Sequence, residues 1–155
     1  PQAAQLRRGG VPVGRKGGRR LDTLTPSERS ARMSLVRSRD TTPERLVRQL
    51  LHRLGYRFRL HSDTLPGHPD IVFPSRKKVV FVHGCFWHRH NRCDLARVPK
   101  TRVDFWLDKL DKNVKRDRDT TRRIGRLGWS SLTVWECELR DPARLMWRLV
   151  AYLEG

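Results

Sequence analysis

A short apolar run, Val79–Val82, ends in a segment crowded with ligand-type side chains: VVFVHGCFWHRHNRC, residues 79–93. Between His83 and Cys93 lie three of the chain's six histidines and two of its three cysteines. Cysteine and histidine are the side chains that hold zinc, and histidine is also the proton-transfer residue of neutral pH. A strand that stops in such a segment is constrained to carry a metal or catalytic centre at its end. Phe86 and Trp87 stand among these polar groups, either as rings of the core or as an exposed pair on a clamped loop.

The rest of the chain supplies a scaffold for that strand. Thr25-Pro26-Ser27-Glu28 has the form of a capping box with proline at the first helical position, so a short helix is expected to about Arg37. Thr42-Pro43-Glu44 opens a second helix, with Leu46, Val47, Leu50, Leu51 and Leu54 on one face and Gly55 as its stop. Tyr56, Phe58 and Leu60 alternate with Arg57, Arg59 and His61, the pattern of a half-buried strand. The loop SDTLPGHP leads to Asp70 and a strand IVF, and PSRKK turns the chain into VVFV. The stretch from Val98 to Leu127 reads as one long or two consecutive helices ending at Gly128. WSSLTVWEC is a further strand, and Asp141-Pro142 caps a last amphipathic helix bearing Leu145, Leu149, Val150 and Leu153. The order α-α-β-β-β-α-β-α predicts an α/β fold with a central mixed sheet flanked by helices.

With 155 residues the chain suits one domain with a real core, placed here at residues 21–155. Its 34 Lys+Arg against 16 Asp+Glu leave a net charge of +18, which points to a polyanionic partner, nucleic acid before an acidic membrane surface. No run reaches the roughly 18 apolar residues of a membrane span, and no signal peptide is read at the start. Three cysteines make a poor disulfide framework and suit a reducing, cytoplasmic setting. Residues 1–20 carry six cations, no acids and five glycines, and read as a disordered basic arm, either a solvated tail or a contact to DNA phosphates.

Two sites emerge. Cys85, His90, Cys93 and Cys137 would complete a four-ligand tetrahedral zinc site, with Cys137 delivered from the end of the strand LTVWE. On spacing alone His88 could take the place of His90. The second site pairs Asp70, in PGHPDIVF, with His83 at the end of the neighbouring strand. A Pro-Asp followed by a second functional strand end is the layout of metal-dependent restriction-type nucleases. Those carry an acid-x-lysine triplet where this chain has Phe81-Val82-His83, so both the acid and the lysine are missing.

PGHPDIVF, FVHGCFWHRHNRC, PKTRVDFWLDKLDKNVKRDRD and GWSSLTVWEC, in this order, closely resemble the very-short-patch-repair DNA mismatch endonucleases. The resemblance runs from about Thr25 to the last helix and leaves residues 1–20 outside it. It implies a restriction-endonuclease-like fold, a structural zinc, and magnesium-dependent nicking of duplex DNA 5′ to the thymine of a T·G mismatch. Such mismatches arise when 5-methylcytosine deaminates. Carried over residue by residue, Asp70 matches the metal-binding aspartate, and Val82 would offer its main-chain carbonyl to the same magnesium. His83 and His88 match two active-site histidines, Glu44 a helix glutamate near the site, and Asp117 an acid that orients a histidine. Cys85, His90, Cys93 and Cys137 match the zinc ligands. Phe86, Trp87 and Trp106 match aromatics that enter the DNA beside the mismatch. The chain departs from the pattern in carrying Val82 in place of a threonine, and in separating His90 from Cys93 by two residues where one is expected.

The expectation is therefore a prokaryotic mismatch-repair enzyme, monomeric, acting near the nucleoid on double-stranded DNA, with downstream repair proteins as further partners. The alternatives are a related nicking endonuclease of other mismatch or sequence specificity, and a zinc-stabilised DNA-binding module without catalysis.

Overall fold

The structure is a computed structural model that describes Thr25, residues 27–28, Ala31, residues 39–60 and residues 62–155. The basic run 1–20 lies outside these residues, as does most of the first expected helix. At its start the expected capping box is formed: Thr25 N donates to Glu28 Oε2 at 2.7 Å, and Glu28 N donates to Thr25 Oγ1 at 3.3 Å.

The described residues contain three long helices: α1 (Thr42–Arg53), α2 (Val103–Arg126) and α3 (Pro142–Glu154). Four strands form a single sheet: β1 (Arg59–Leu60), β2 (Ile71–Phe73), β3 (Lys78–His83) and β4 (Ser130–Trp135). The sheet runs β1-β2-β3-β4, with the β1–β2 and β2–β3 pairs antiparallel and β4 parallel to β3. It is a mixed α/β architecture, as the pattern of elements predicts. A parallel neighbour needs a long crossover, and the segment from Gly84 to Trp129, with α2 inside it, is that crossover. No helix among the described residues is long and apolar enough to cross a membrane.

Strand alternation divides the core between the two faces of the sheet. Ile71 and Phe73 of β2, Val80 of β3 and Val134 of β4 meet Val47, Leu50 and Leu51 of α1 and Leu145, Leu149 and Leu153 of α3. On the opposite face Val72, Val79 and Phe81 pack with Leu65 and with Ile124 of α2. Side chains two apart on a strand share a face. His83 therefore follows Val79 and Phe81 onto the α2 face, and Asp70 precedes Val72 onto it. The parity that builds the smaller core also aims the candidate catalytic side chains at α2.

Capping fixes the helix starts. The Thr41 hydroxyl accepts from Glu44 N at 3.4 Å, and Asp141 Oδ1 accepts from Arg144 N at 3.0 Å, both with proline in the first turn. One expectation is corrected. The alternating run from Tyr56 pairs as a strand only over Arg59–Leu60, and Leu60 is 42% exposed. Tyr56 and Phe58 still turn inward, but they meet Phe73 edge-on through aromatic contacts at 6.3 and 6.0 Å, without ladder bonds of their own. On an edge strand, side-chain packing alone can hold an alternating pattern.

Candidate active site and metal cluster

The loop after β3 coils back on itself through two successive wide turns. His88 N donates to Gly84 O at 3.2 Å, and His90 N donates to Cys85 O at 2.9 Å. Arg89 and Arg92 sit at φ values of 49° and 55°, in the left-handed region that residues with a Cβ avoid. Each such residue costs on the order of 1–3 kcal/mol and persists only when its surroundings hold it. What this winding achieves is a separation of two histidines one residue apart. His88 is turned toward α2, and His90 is turned toward the cysteines.

Cys85, His90, Cys93 and Cys137 each bring a ligand atom to within 4.8 Å of all the others. His90 Nδ1 lies 3.6 Å from Cys85 Sγ and 3.3 Å from Cys137 Sγ. Metal–ligand distances of about 2.3 Å for sulfur and 2.0 Å for nitrogen imply ligand–ligand edges of roughly 3.5 Å around a tetrahedral ion. The two separations from His90 match such edges, and the donor set of three thiols and one imidazole is one that zinc takes. The geometry brings His90 and not His88 into this group, and the two-residue gap before Cys93 is absorbed by left-handed Arg92. The Cys85 side chain is fully enclosed, and burial pushes its thiol up to about 12, so a metal must displace its proton on entry.

A second group lies on the other side of the loop. His88 Nδ1 and Asp117 Oδ2 are 2.5 Å apart, and the His83 and His88 rings stack at 3.8 Å between centroids and 11° between planes. Burial pushes His83 down from its ordinary value to about 4, with the neighbouring His88 adding to this and Asp117 opposing it. Asp70 joins them from β2: its Oδ2 accepts from Val82 N at 2.7 Å, which ties the carboxylate to the strand carrying His83. All four side chains line one cleft of about 760 Å³, together with Glu44, Val82, Trp87, Arg116 and Glu136. Glu44 is only 3% exposed and already engaged, accepting from Asp40 N at 2.9 Å, Thr41 Oγ1 at 2.8 Å and Arg48 Nη2 at 2.9 Å. Its carboxylate thus braces the start of α1 at the wall of the cleft. Carboxylate oxygens in a polar cleft suit a hard cation such as magnesium, which takes one or two carboxylates and keeps several waters.

Trp87, which lines the cleft, gathers an aromatic group at its rim. Phe86 meets Trp87 at 5.0 Å and Trp106 at 5.4 Å, and Trp87 and Trp106 are 6.2 Å apart. All three are half-buried, and none belongs to either core cluster. Phe105, 46% exposed, extends the group, and Lys109 Nζ lies 5.4 Å from the Trp87 ring centroid and 5.9 Å from that of Trp106.

These residues, in this order, match known proteins. The family model for the DNA mismatch endonuclease Vsr matches residues 21–95. A type II nicking enzyme, V.XorIIP, of Xanthomonas oryzae pv. oryzae is 51% identical over 128 residues, covering 83% of this chain and 93% of the relative. The chain belongs to the Vsr DNA mismatch endonuclease family. The Escherichia coli DNA mismatch endonuclease Vsr is 45% identical over 124 residues, covering 80% of this chain and 79% of its own. A type II nicking enzyme of Neisseria meningitidis, V.NmeAIP, is 43% identical over 122 residues, covering 79% and 86%. Membership rests on about four fifths of the chain and not on the histidine-rich loop alone.

Three residues of the site escaped the sequence reading. Trp135 ends β4 opposite His83, stacks on His90 at 4.2 Å and meets His83 edge-on at 5.5 Å, so one indole separates the cysteine cluster from the histidine pair. Asn113 donates from Nδ2 to Trp87 O at 3.1 Å and fastens the loop to α2. Gly67, at φ 76°, brings the loop before Asp70 so close to α2 that an added Cβ would lie 2.2 Å from Thr120 Cγ2. Asp117 and Thr120 are one helical turn apart, so α2 locates both the His88 partner and the approach to Asp70. Gly67→Ala is expected to destabilise the fold by about 1–3 kcal/mol through strain and overlap. Adding Thr120→Ala in the same chain should recover part of that loss in urea melts. Strictly additive effects of the two changes would show that the close approach does not matter.

Proposed function

We propose that this chain is a magnesium-dependent endonuclease that nicks one strand of duplex DNA 5′ to the thymine of a T·G mismatch. The observation that carries the reading is the convergence of Asp70, His83 and the His88–Asp117 pair in one cleft, with an aromatic rim at its mouth. Family membership and the net charge of +18 support DNA as the partner. The mixed sheet, with Asp70 at the head of one strand and His83 at the tail of the next, supports a restriction-endonuclease-like core. In this reading residues 21–155 form the endonuclease domain, working as a monomer.

Phosphodiester hydrolysis needs an activated water, neutralisation of charge at the phosphate, and a proton for the leaving 3′ oxygen. Asp70 would hold the magnesium, with the Val82 carbonyl as a main-chain ligand that any residue type can provide. When bound, the ion polarises the phosphate and stabilises the leaving oxygen. Asp117 fixes Nδ1 of His88 as the protonated nitrogen and leaves Nε2 to exchange a proton within the cleft. The stacked His83 holds the His88 ring in plane from the other side. The two histidines thereby stand in the place where a lysine serves in other restriction-type nucleases.

Cys85, His90, Cys93 and Cys137 would hold a structural zinc, closed to further ligands and outside the chemistry. Its part is to keep the loop wound so that the half-buried Phe86 and Trp87 stay grouped with Trp106 at the edge of the cleft. An aromatic group on a basic surface can enter between base steps at a cost of a few kcal/mol per step, less where a mismatch already weakens the stack.

Two measurements test this. On a duplex with one T·G pair, the chain with magnesium should nick one strand, and Asp70→Asn should abolish nicking while retaining binding, because phosphate contacts do not depend on that carboxylate. Full cleavage by Asp70→Asn, or wild-type nicking undiminished by chelation of magnesium, would refute the assignment. Trp87→Ala should lose more affinity for mismatched than for matched duplex, with melting temperature little changed. Equal losses on both duplexes would reduce Trp87 to a general contact.

A further inference from the structure

Along α2 the chain changes character in order. The first turns carry the aromatic rim, with Phe105, Trp106 and Lys109. The middle carries Asn113 and Asp117, which hold the catalytic loop. Beside and beyond them a shallow groove of about 340 Å³ is lined by Lys112, Lys115, Arg116, Asp119, Thr120 and Arg123. Arg116 and Thr120 line the catalytic cleft as well, so the groove opens directly off it. Neither the proposed chemistry nor the aromatic rim uses this groove.

Its charges are unevenly committed. The acid in the groove, Asp119, is engaged by Arg122 at 3.3 Å, and Lys112 is engaged by Asp108 at 2.7 Å. Arg116 Nη2 donates to Asn113 Oδ1 at 2.9 Å, a neutral partner that leaves its charge uncompensated. Among the described residues no ion pair engages Lys115 or Arg123. A helix face that served only solubility would interleave acids with its cations. This face carries four cations to one acid, Asp119, and that acid is engaged by Arg122, so Lys115, Arg116 and Arg123 stand outside any ion pair among the described residues, with Arg116 at the cleft.

We propose that this groove carries the phosphate backbone of the strand that leaves the catalytic cleft, so that the duplex is held on α2 on the side of the cleft away from the aromatic rim. The inference rests on the DNA-nicking reading above and adds a path for the substrate. From Lys112 to Arg123 the helix rises about 16 Å, the axial length of roughly five nucleotides of one strand. The groove can therefore follow consecutive phosphates without reading any base. It anchors the duplex while the rim tests a step, which separates general affinity from mismatch recognition along a single helix.

The test is the salt dependence of binding to a matched, fluorescently labelled duplex, measured without added magnesium on the zinc-loaded full chain. Each phosphate neutralised contributes about 0.9 to the slope of log K against log salt. Lys115→Gln/Arg123→Gln should lower the magnitude of that slope by about 2. Arg144→Gln, on α3 across the sheet, should leave it unchanged. An unchanged slope in the double variant, or an equal fall in the α3 control, overturns the path. Wild-type nicking of a T·G duplex is measured beside it. A reduced slope without any nicking keeps the path and sinks the enzymatic reading, whereas nicking with an unchanged slope does the reverse.

Discussion

Left-handed backbone at Arg89 and Arg92 and a coiled path from Gly84 to His90 make the loop after β3 expensive to hold. It has little core to hold it: of residues 84–93 only Cys85 is fully buried. The compensating interaction is the convergence of Cys85, His90 and Cys93 from the loop with Cys137 from beyond β4. A structural zinc can contribute on the order of 10 kcal/mol of apparent folding free energy, well above the strain of a few left-handed residues. The cluster also joins parts of the chain far apart in sequence, because β3 and β4 are parallel neighbours whose ends lie side by side at His83 and Trp135. In the proposed reading the placement of His88, the seating of Phe86 and Trp87 against Trp106, and the packing of Trp135 between the two sites all depend on that clamp.

The second constraint is α2. It is 24 residues long, yet only Leu110 and Ile124 are fully buried, so little of it serves the core. Its inward face is spent on the site: Trp106 on the rim, Asn113 on the loop carbonyl, Asp117 on His88, and Thr120 against Gly67. Strand parity sends Asp70 and His83 toward the same face. Rigid elements thus fix the candidate catalytic side chains from both sides, and the loop needs only to present His88 and the aromatics between them.

Much of this was legible from local pattern. The buried strands Ile71–Phe73 and Lys78–His83, the helix starts at Thr42 and at Asp141-Pro142, and the long helix ending before Gly128 follow from short-range chemistry. The grouping of the three cysteines with one histidine was legible as chemistry, but the choice between His88 and His90 was not. It depends on which way the chain winds at Arg89, and nothing in the residue types announces a left-handed arginine. Trp135 and Thr120 were invisible for a different reason. Each acts through a partner about fifty residues away, set by the parallel register of β4 on β3 and by the seating of α2. Gly67 carried a turn signal in PGHP, but the reason it must be glycine is a threonine on α2. The edge strand was over-read because Tyr56 and Phe58 point inward by packing on Phe73 without pairing.

The dependence of the site on the cysteine cluster can be measured directly by zinc X-ray absorption on the purified chain. The account expects one zinc with three sulfur ligands at about 2.3 Å and one nitrogen at about 2.0 Å. The same spectrum should persist in His88→Ala, and Cys137→Ser should lose the metal together with much of the stability. A metal-free protein with unchanged melting, or a spectrum that changes in His88→Ala and not in His90→Ala, would contradict it.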